Sequence, residues 1–248
     1  MNQDASASGL TANKTKEERA RPRNQRPDQI LTYHFVSCAL RLGFRLYARL
    51  KVIGLENVPK TGGVLLASNH ASNLDPLVGW AAFYGYRRLR GVAKVELWKP
   101  KPLAYVMDAF DSVPVRRNTA DRAMMRRVLE LLAEGHAVGI FPEGTRTYDG
   151  LLNPAQPGVA LLAQRSGAPV IPVALLGTYE MLPRGRKKLK RVPVTLALGK
   201  PMTFPPGTSR EAVAEAIMEA IAALMTANGY PMEPPKPERA ALLPSGED

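Results

Sequence analysis

Short apolar runs alternate with longer amphipathic segments through the middle of the chain. The apolar runs are rich in Val, Leu and Ile, which predicts β-strands. These predicted strands cover residues 64–68, 91–95, 112–115, 137–141, 170–176 and 192–198. The longer segments carry helix start and stop signals and cover residues 76–89, 120–134, 157–166 and 210–228. Strands that alternate with helices predict a single α/β domain over residues 51–229, with a mostly parallel central sheet flanked by helices.

A further helix is predicted before this domain, over residues 28–50. Its longest run without a charge, residues 29–40, has 12 residues, whereas a helix that crosses a bilayer needs about 20. Arg41, Arg45 and Arg49 recur every four residues and share one face, with Leu and aromatic side chains elsewhere. This pattern is typical of an amphipathic helix that lies in a membrane interface. It fits equally well a helix docked on the core of its own domain, and both interpretations stay open.

The two ends of the sequence differ from the middle. Residues 1–27 are polar and basic; we predict a disordered arm, which lacks the apolar stretch of a secretory signal. Residues 230–248 are polar and rich in proline, and we predict a disordered tail there.

The chain is strongly basic. Its 248 residues include 34 Lys and Arg against 22 Asp and Glu, a formal net charge of +12. Such a surface attracts nucleic acid, anionic lipid or a phosphorylated substrate. Aromatic residues make up only 6%, and no helix-turn-helix, zinc or aromatic RNA-binding signature occurs, so we expect no nucleic-acid partner. The single cysteine, Cys38, excludes an internal disulfide and a multi-cysteine metal site.

One histidine has a carboxylate placed to serve it. The stretch GVLLASNHASNLDP is a predicted strand followed by His70 and Asp75 in a turn. An Asp bonded to one ring nitrogen orients the imidazole, so that the other nitrogen can act as a general base on a hydroxyl. Taken alone, this spacing favours the plainer interpretation of a loop histidine beside a helix-capping Asp.

A second motif, FPEGTR at residues 141–146, follows the predicted strand 137–141. Gly144 allows a ligand to approach the backbone. Thr145 offers a hydroxyl donor, and Arg146 a planar fork suited to phosphate. Taken alone, this motif is a tight turn with a surface arginine.

Together the two motifs are more specific. In this order, about seventy residues apart, they resemble the glycerophospholipid acyltransferase family, in particular its bacterial 1-acylglycerol-3-phosphate acyltransferases. The segments AKVEL at 93–97, VPVRR at 113–117 and APVIPV at 168–173 are similar to further blocks of that family. The resemblance covers roughly residues 50–200. The chain departs from the family pattern in having Pro157 where a lysine often precedes the glycine, and Arg116 where an acid is common.

The resemblance implies transfer of a fatty acyl group from acyl-CoA or acyl carrier protein to the free sn-2 hydroxyl of 1-acyl-glycerol-3-phosphate, which gives phosphatidic acid. It implies that His70 is the general base and that Asp75 orients it, with no metal or organic cofactor. It also implies a set of substrate-binding residues: Lys94, Arg117, Glu143, Gly144, Thr145 and Arg146. All but Glu143 would hold the acceptor phosphate, and we expect Glu143 to bind Arg146 or a glycerol hydroxyl.

The resemblance also implies attachment to a membrane surface, and we expect a peripheral protein at the cytoplasmic face of the cell membrane. Residues 184–191, RGRKKLKR, contain six basic residues; such a run is a solvated loop or a contact for anionic headgroups or an acidic carrier protein. Three alternatives remain: a family member with another acceptor, such as a lyso-ornithine lipid, a non-catalytic basic membrane-binding protein, and a hydrolase. The hydrolase is disfavoured because no G-x-S-x-G motif occurs.

Overall fold

The computed structural model describes residues 26–116 and 121–236. The predicted disordered arm, except for its last two residues, lies outside this part of the chain. So do residues 237–248 of the predicted tail, and so does Arg117. Residues 231–236 of the predicted tail have no regular secondary structure.

A seven-stranded sheet forms the centre of the described part, in the order β1-β7-β6-β2-β5-β3-β4. All neighbouring strands pair in parallel except β6 and β7, which are antiparallel. The predicted α/β fold with a mostly parallel sheet is therefore confirmed. The strands are β1 (Lys51–Ile53), β2 (Val64–Ser68), β3 (Leu89–Lys94), β4 (Val113–Val115), β5 (Ala137–Ile140), β6 (Val170–Leu176) and β7 (Thr195–Leu198).

Helices cover both faces of the sheet. They are α1 (Pro27–Tyr47), α2 (Asp75–Phe83), α3 (Lys101–Ala109), α4 (Arg122–Ala133), α5 (Pro157–Ser166), α6 (Thr178–Met181) and α7 (Arg210–Ala227). Side chains of α4, α5 and α7 pack on one face of the sheet, against residues such as Leu65 of β2. Side chains of α1 and α2 pack on the other face, against residues such as Leu66. All residues of β2 and β6 are buried, as expected for central strands covered on both faces.

Several elements differ from the sequence prediction. The helix predicted over 76–89 ends at Phe83, because Gly85 adopts a left-handed conformation with φ of 83°, which a helix cannot contain. The strand predicted over 192–198 begins only at Thr195. Neither β1 nor α3 was predicted. Strand β1 has three residues, too few to show an alternating pattern in the sequence. It forms by pairing with β7.

Helix α1 is docked on the domain. Its buried residues include Tyr33, Ser37 and Phe44, and the Tyr33 ring meets Phe110 edge to face at 5.1 Å. This face of α1 is therefore docked on the core of the domain, which is one of the two interpretations that the sequence left open. Among the described residues, no helix is long and apolar enough to cross a membrane.

Candidate active site

The loop that follows β2 carries the first half of the candidate site. Asn69 is buried, and its side chain makes two hydrogen bonds to the backbone of Leu175 near the end of β6. Its Nδ2 donates to the Leu175 carbonyl at 2.9 Å, and its Oδ1 accepts from the Leu175 N–H at 2.7 Å. Because β2 and β6 are neighbours, this pair of bonds fixes the point at which the chain leaves the sheet. His70 is the next residue.

His70 and Asp75 are in direct contact. The His70 Nδ1 lies 2.8 Å from Asp75 Oδ2. The same carboxylate oxygen accepts hydrogen bonds from the N–H groups of Ala71 at 2.7 Å and Ser72 at 2.8 Å. Asp75 begins α2, where the helix dipole favours a negative charge. With Nδ1–H donating to the carboxylate, Nε2 carries the lone pair that can accept a proton.

The FPEGTR loop fixes the imidazole from its other side. Phe141, directly after β5, stacks on the His70 ring, with the ring centroids 3.9 Å apart and the planes 11° apart. The Thr147 N–H donates to the His70 carbonyl at 2.9 Å. The second motif and the residue directly after it therefore contact both the side chain and the backbone of the predicted base.

Glu143 lies beneath His70 rather than at an open surface. It is 1% exposed. Its Oε1 accepts from the His70 N–H at 2.7 Å, and its Oε2 accepts from the Asn153 N–H at 2.9 Å. Burial raises the pKa of Glu143 to about 8, although these two hydrogen bonds oppose the rise. The expected contact was with Arg146 or a glycerol hydroxyl; the structure instead engages both carboxylate oxygens with the protein backbone.

The remaining predicted site residues lie on neighbouring loops. Gly144 has a φ of 70°, and a Cβ there would lie 3.0 Å from Gln156 Cγ, so the position requires glycine. Thr145 is half-buried and Arg146 is buried. Lys94 is half-buried at the end of β3, in register with Val115 of β4. Because β2, β5, β3 and β4 are parallel, Lys94 and the two motifs lie together at the carboxyl ends of these strands, where α/β folds bind ligands.

The structure thus brings together His70, Asp75 and the FPEGTR loop, and places Lys94 at the same edge of the sheet. The sequence did not reveal the roles of Asn69, Thr147 and Asn153. Asn69 lies within the stretch GVLLASNHASNLDP, and its position directly after a buried strand was the only signal in the sequence. Among the described residues, no group of three His, Cys, Asp or Glu side chains is placed to hold a metal.

A buried His–Asp pair at the carboxyl ends of the strands of an α/β sheet is typical of enzymes that use histidine as a general base. Comparison with known proteins identifies the family. The model of the family described as Acyltransferase matches residues 49–176. The chain belongs to this acyltransferase family and is an acyltransferase. It is 30% identical over 170 residues to the 1-acyl-sn-glycerol-3-phosphate acyltransferase of Bacillus subtilis, covering 68% of this chain and 82% of that protein.

Two further comparisons agree. The crystal structure of the 1-acyl-sn-glycerophosphate (LPA) acyltransferase PlsC from Thermotoga maritima aligns with a TM-score of 0.71 and 25% identity, covering 86% of each chain. A chloroplastic 1-acyl-sn-glycerol-3-phosphate acyltransferase of Brassica napus is 30% identical over 158 residues. That match covers 62% of this chain and 45% of the plant protein, so this chain spans about half of the plant relative.

Proposed function

We propose that the chain transfers a fatty acyl group from an acyl thioester, acyl-CoA or acyl carrier protein, to the free sn-2 hydroxyl of 1-acyl-glycerol-3-phosphate, forming phosphatidic acid. The hydrogen bond of 2.8 Å between His70 Nδ1 and Asp75 Oδ2 carries this proposal, because it orients Nε2 as a general base. The relatives named for this activity in Bacillus subtilis and Thermotoga maritima support the choice of acceptor.

The reaction needs one base and no covalent acyl-enzyme. The acceptor oxygen forms a bond to the thioester carbonyl carbon while His70 Nε2 takes the hydroxyl proton. The C–S bond then breaks, and the thiolate leaves and takes up the proton from the imidazolium. Asp75 stabilises that imidazolium through Nδ1–H. Since the thioester is already activated, the proposed reaction requires no metal or organic cofactor.

Cationic and polar groups around the base would hold the acceptor phosphate. The proposed set is Lys94, Arg117, Gly144, Thr145 and Arg146. Phosphate binding by several donors at once favours one orientation of the acceptor and so places its free hydroxyl against Nε2. Glu143 is better described as a positioning residue, since its two oxygens hold the backbone N–H groups of His70 and Asn153.

Helix α1 supports peripheral attachment to a membrane, which we assign to the cytoplasmic face of the cell membrane because thioester donors are made there. Opposite its buried face, α1 exposes an apolar stripe, here called the α1 stripe: Leu31, Phe35, Leu42 and Leu46, each 56% to 74% exposed. Their spacing places all four on one side of the helix. Arg41 and Arg45 flank the stripe, an arrangement that suits the boundary between lipid headgroups and acyl chains.

The experiment that tests the proposal measures free thiol released from acyl-CoA by the purified protein, with and without lysophosphatidic acid. The expected result is release that depends on the acceptor and is lost in His70→Ala. The matched control is His136→Ala, since His136 lies outside the site, beside Glu134, and its loss should leave release unchanged. Equal release with and without acceptor would identify a thioesterase and overturn the proposal.

Two changes of substrate identify the acyl donor and the acceptor. Acyl carrier protein replaces acyl-CoA to identify the donor. A lyso-ornithine lipid, which has no phosphate, replaces lysophosphatidic acid. Turnover with the ornithine lipid alone would contradict the proposed acceptor and the phosphate-binding role of Arg146.

A further inference from the structure

A strongly basic segment follows α6 and lies outside the site described above. This basic segment, residues 184–191, has six Lys or Arg among its eight residues. Every residue from 185 to 191 is exposed. Six like charges in one short exposed loop repel each other and attract anions.

The basic segment is fastened to the end of α1. Arg191 donates from Nε to the Tyr47 carbonyl at 3.2 Å and from Nη2 to the Leu46 carbonyl at 3.4 Å. In return, the Tyr47 hydroxyl donates to the Leu189 carbonyl at 3.4 Å. The α1 stripe ends at Leu46, so these three bonds join the exposed apolar side chains of α1 to the basic segment.

The junction presents apolar and cationic side chains together. Leu189 is 52% exposed within the basic segment, between the exposed Lys188 and Lys190. Leucine side chains flanked by lysines match an anionic bilayer, in which headgroup phosphates lie directly above hydrocarbon. An acidic protein partner would account for the charges but would leave the α1 stripe unexplained.

A cavity lies along the same segment. It measures about 270 Å³ and is lined in part by three cations, Arg186, Lys188 and Lys190. Met181 and Pro183 form apolar wall, and Glu180 adds one carboxylate. Its cationic lining suits a phosphate-bearing headgroup.

The start of this region also contacts the candidate active site. The Ser72 hydroxyl, two residues after His70, donates to the Leu182 carbonyl at 2.7 Å. The Arg184 guanidinium lies over the Tyr148 ring, 3.8 Å from its centroid, just beyond the FPEGTR motif. The basic segment and the residues directly before it are thereby anchored on both loops of the site.

We propose that the basic segment is the electrostatic half of a docking surface for anionic phospholipid bilayers, with the α1 stripe as its apolar half. Docking there sets the loops of the His–Asp site against the lipid surface. This inference rests on the proposed function only for the use of the binding: the membrane surface would supply the lysophospholipid acceptor. The binding itself follows from the charge, the exposed leucines and the cavity.

The test is sedimentation of the full chain with vesicles of phosphatidylcholine alone and of phosphatidylcholine mixed with phosphatidylglycerol. The test variant carries three changes together: Lys187→Gln, Lys188→Gln and Lys190→Gln. Since each cation near an anionic surface contributes about 1 kcal/mol, we expect this variant to bind mixed vesicles on the order of 100-fold more weakly. Its binding to neutral vesicles should match that of the parent. High salt should weaken the binding of the parent to mixed vesicles and leave its binding to neutral vesicles unchanged.

The matched control is Arg126→Gln, Arg165→Gln, Arg210→Gln. These exposed residues lie on α4, α5 and α7, on the other face of the sheet, and the control loses the same number of charges. We expect it to bind mixed vesicles as the parent does. Equal losses in both triple variants would show a general effect of net charge and overturn the proposal.

Turnover with substrates dispersed in neutral detergent separates this inference from the proposed function. Both triple variants should keep the parent's turnover there, because none of the six residues belongs to the proposed catalytic set. Absence of turnover in the parent would count against the proposed function alone, while vesicle binding still tests the docking surface. Unchanged binding to mixed vesicles, with turnover lost only for a carrier-protein donor, would assign the basic segment to that protein instead.

Discussion

The backbone of His70 is held at both of its polar groups by one loop. The Glu143 carboxylate accepts from the His70 N–H, and the Thr147 N–H donates to the His70 carbonyl. The ring is stacked on Phe141 and bonded to Asp75. A base held in this way loses little further freedom when substrate binds, and such preorganisation is what general-base catalysis requires.

Removing the charge of Asp75 tests its orienting role. Asp75→Asn keeps the size of the side chain but cannot stabilise the imidazolium, so we expect kcat to fall about 1,000-fold or more, as when the Asp of a serine-protease triad becomes Asn. The KM for acyl-CoA should change little. Steady-state kinetics measure both values. Asp121→Asn is the control, because Asp121 caps α4 through the Met124 N–H and Asn caps equally well; full activity of Asp75→Asn would contradict the role.

The buried carboxyl of Glu143 predicts a dependence of stability on pH. Its pKa is raised from 4.5 to about 8 by burial, so between these values the folded chain retains a proton that the unfolded chain has released. The free energy of unfolding contributed by Glu143 therefore falls as pH rises through this window and changes no further above it. Urea unfolding across this pH range should show the fall in the parent and its absence in Glu143→Gln. Glu215→Gln, at an exposed position on α7, should behave as the parent; identical pH profiles for all three proteins would refute the assignment.

Local sequence predicted part of this residue-scale arrangement. The spacing of His70 and Asp75 within one turn is a local feature, and the structure shows the contact that it suggested. The bonds from Glu143 to His70 and from Asn69 to Leu175 join residues 73 and 106 positions apart. Such pairings depend on strand order, which the alternation of polar and apolar residues does not specify. For this reason the sequence did not reveal the hydrogen bonds of Glu143 to the backbone of His70 and Asn153.

At the scale of elements, the turn after β5 depends on Gly144. Its φ of 70° and a Cβ contact of 3.0 Å to Gln156 predict that Gly144→Ala lowers the free energy of unfolding by about 1–2 kcal/mol. Urea denaturation measures this loss. The control is Gly158→Ala within α5, where a Cβ would meet only Met125 Sδ at 3.9 Å, so the change should stabilise the helix by about 0.5–1 kcal/mol. Equal stability of the two variants would contradict the explanation.

The elements themselves were predictable in proportion to their length and burial. Strands β2 and β6 are buried throughout, and their unbroken apolar sequences predicted the same bounds that the structure has. Helix α2 ends early because Gly85 turns the chain, a choice that the sequence leaves open since an isolated glycine is tolerated in helices. Strand β1 is formed by pairing with β7, some 144 residues later, and that pairing has no local signal.

At the scale of the whole molecule, charge and apolar surface are unevenly distributed. Helices α4, α5 and α7 cover one face of the sheet, while α1, with its exposed α1 stripe, and the attached basic segment lie towards the other. The sequence predicted α1 as amphipathic but left open whether it docks on the core or on a membrane. The structure shows how both can hold, because Tyr33 and Phe44 are buried while Leu31 and Phe35 point outward.

The last prediction separates the two halves of the docking surface. Leu31→Ser, Phe35→Ser removes apolar area from the α1 stripe without changing charge, so binding to neutral and mixed vesicles should weaken together, by about 10-fold or more per side chain. The lysine variant should weaken binding to mixed vesicles only. Ala212→Ser, Ala223→Ser is the control, because these exposed positions lie on α7, on the other face of the sheet; it should bind both vesicle types as the parent does. If the α1 variant sediments with neutral vesicles as fully as the parent, hydrocarbon contact by α1 is excluded. Within the described part of the chain, the attraction to lipid would then be assigned to the charge of the basic segment.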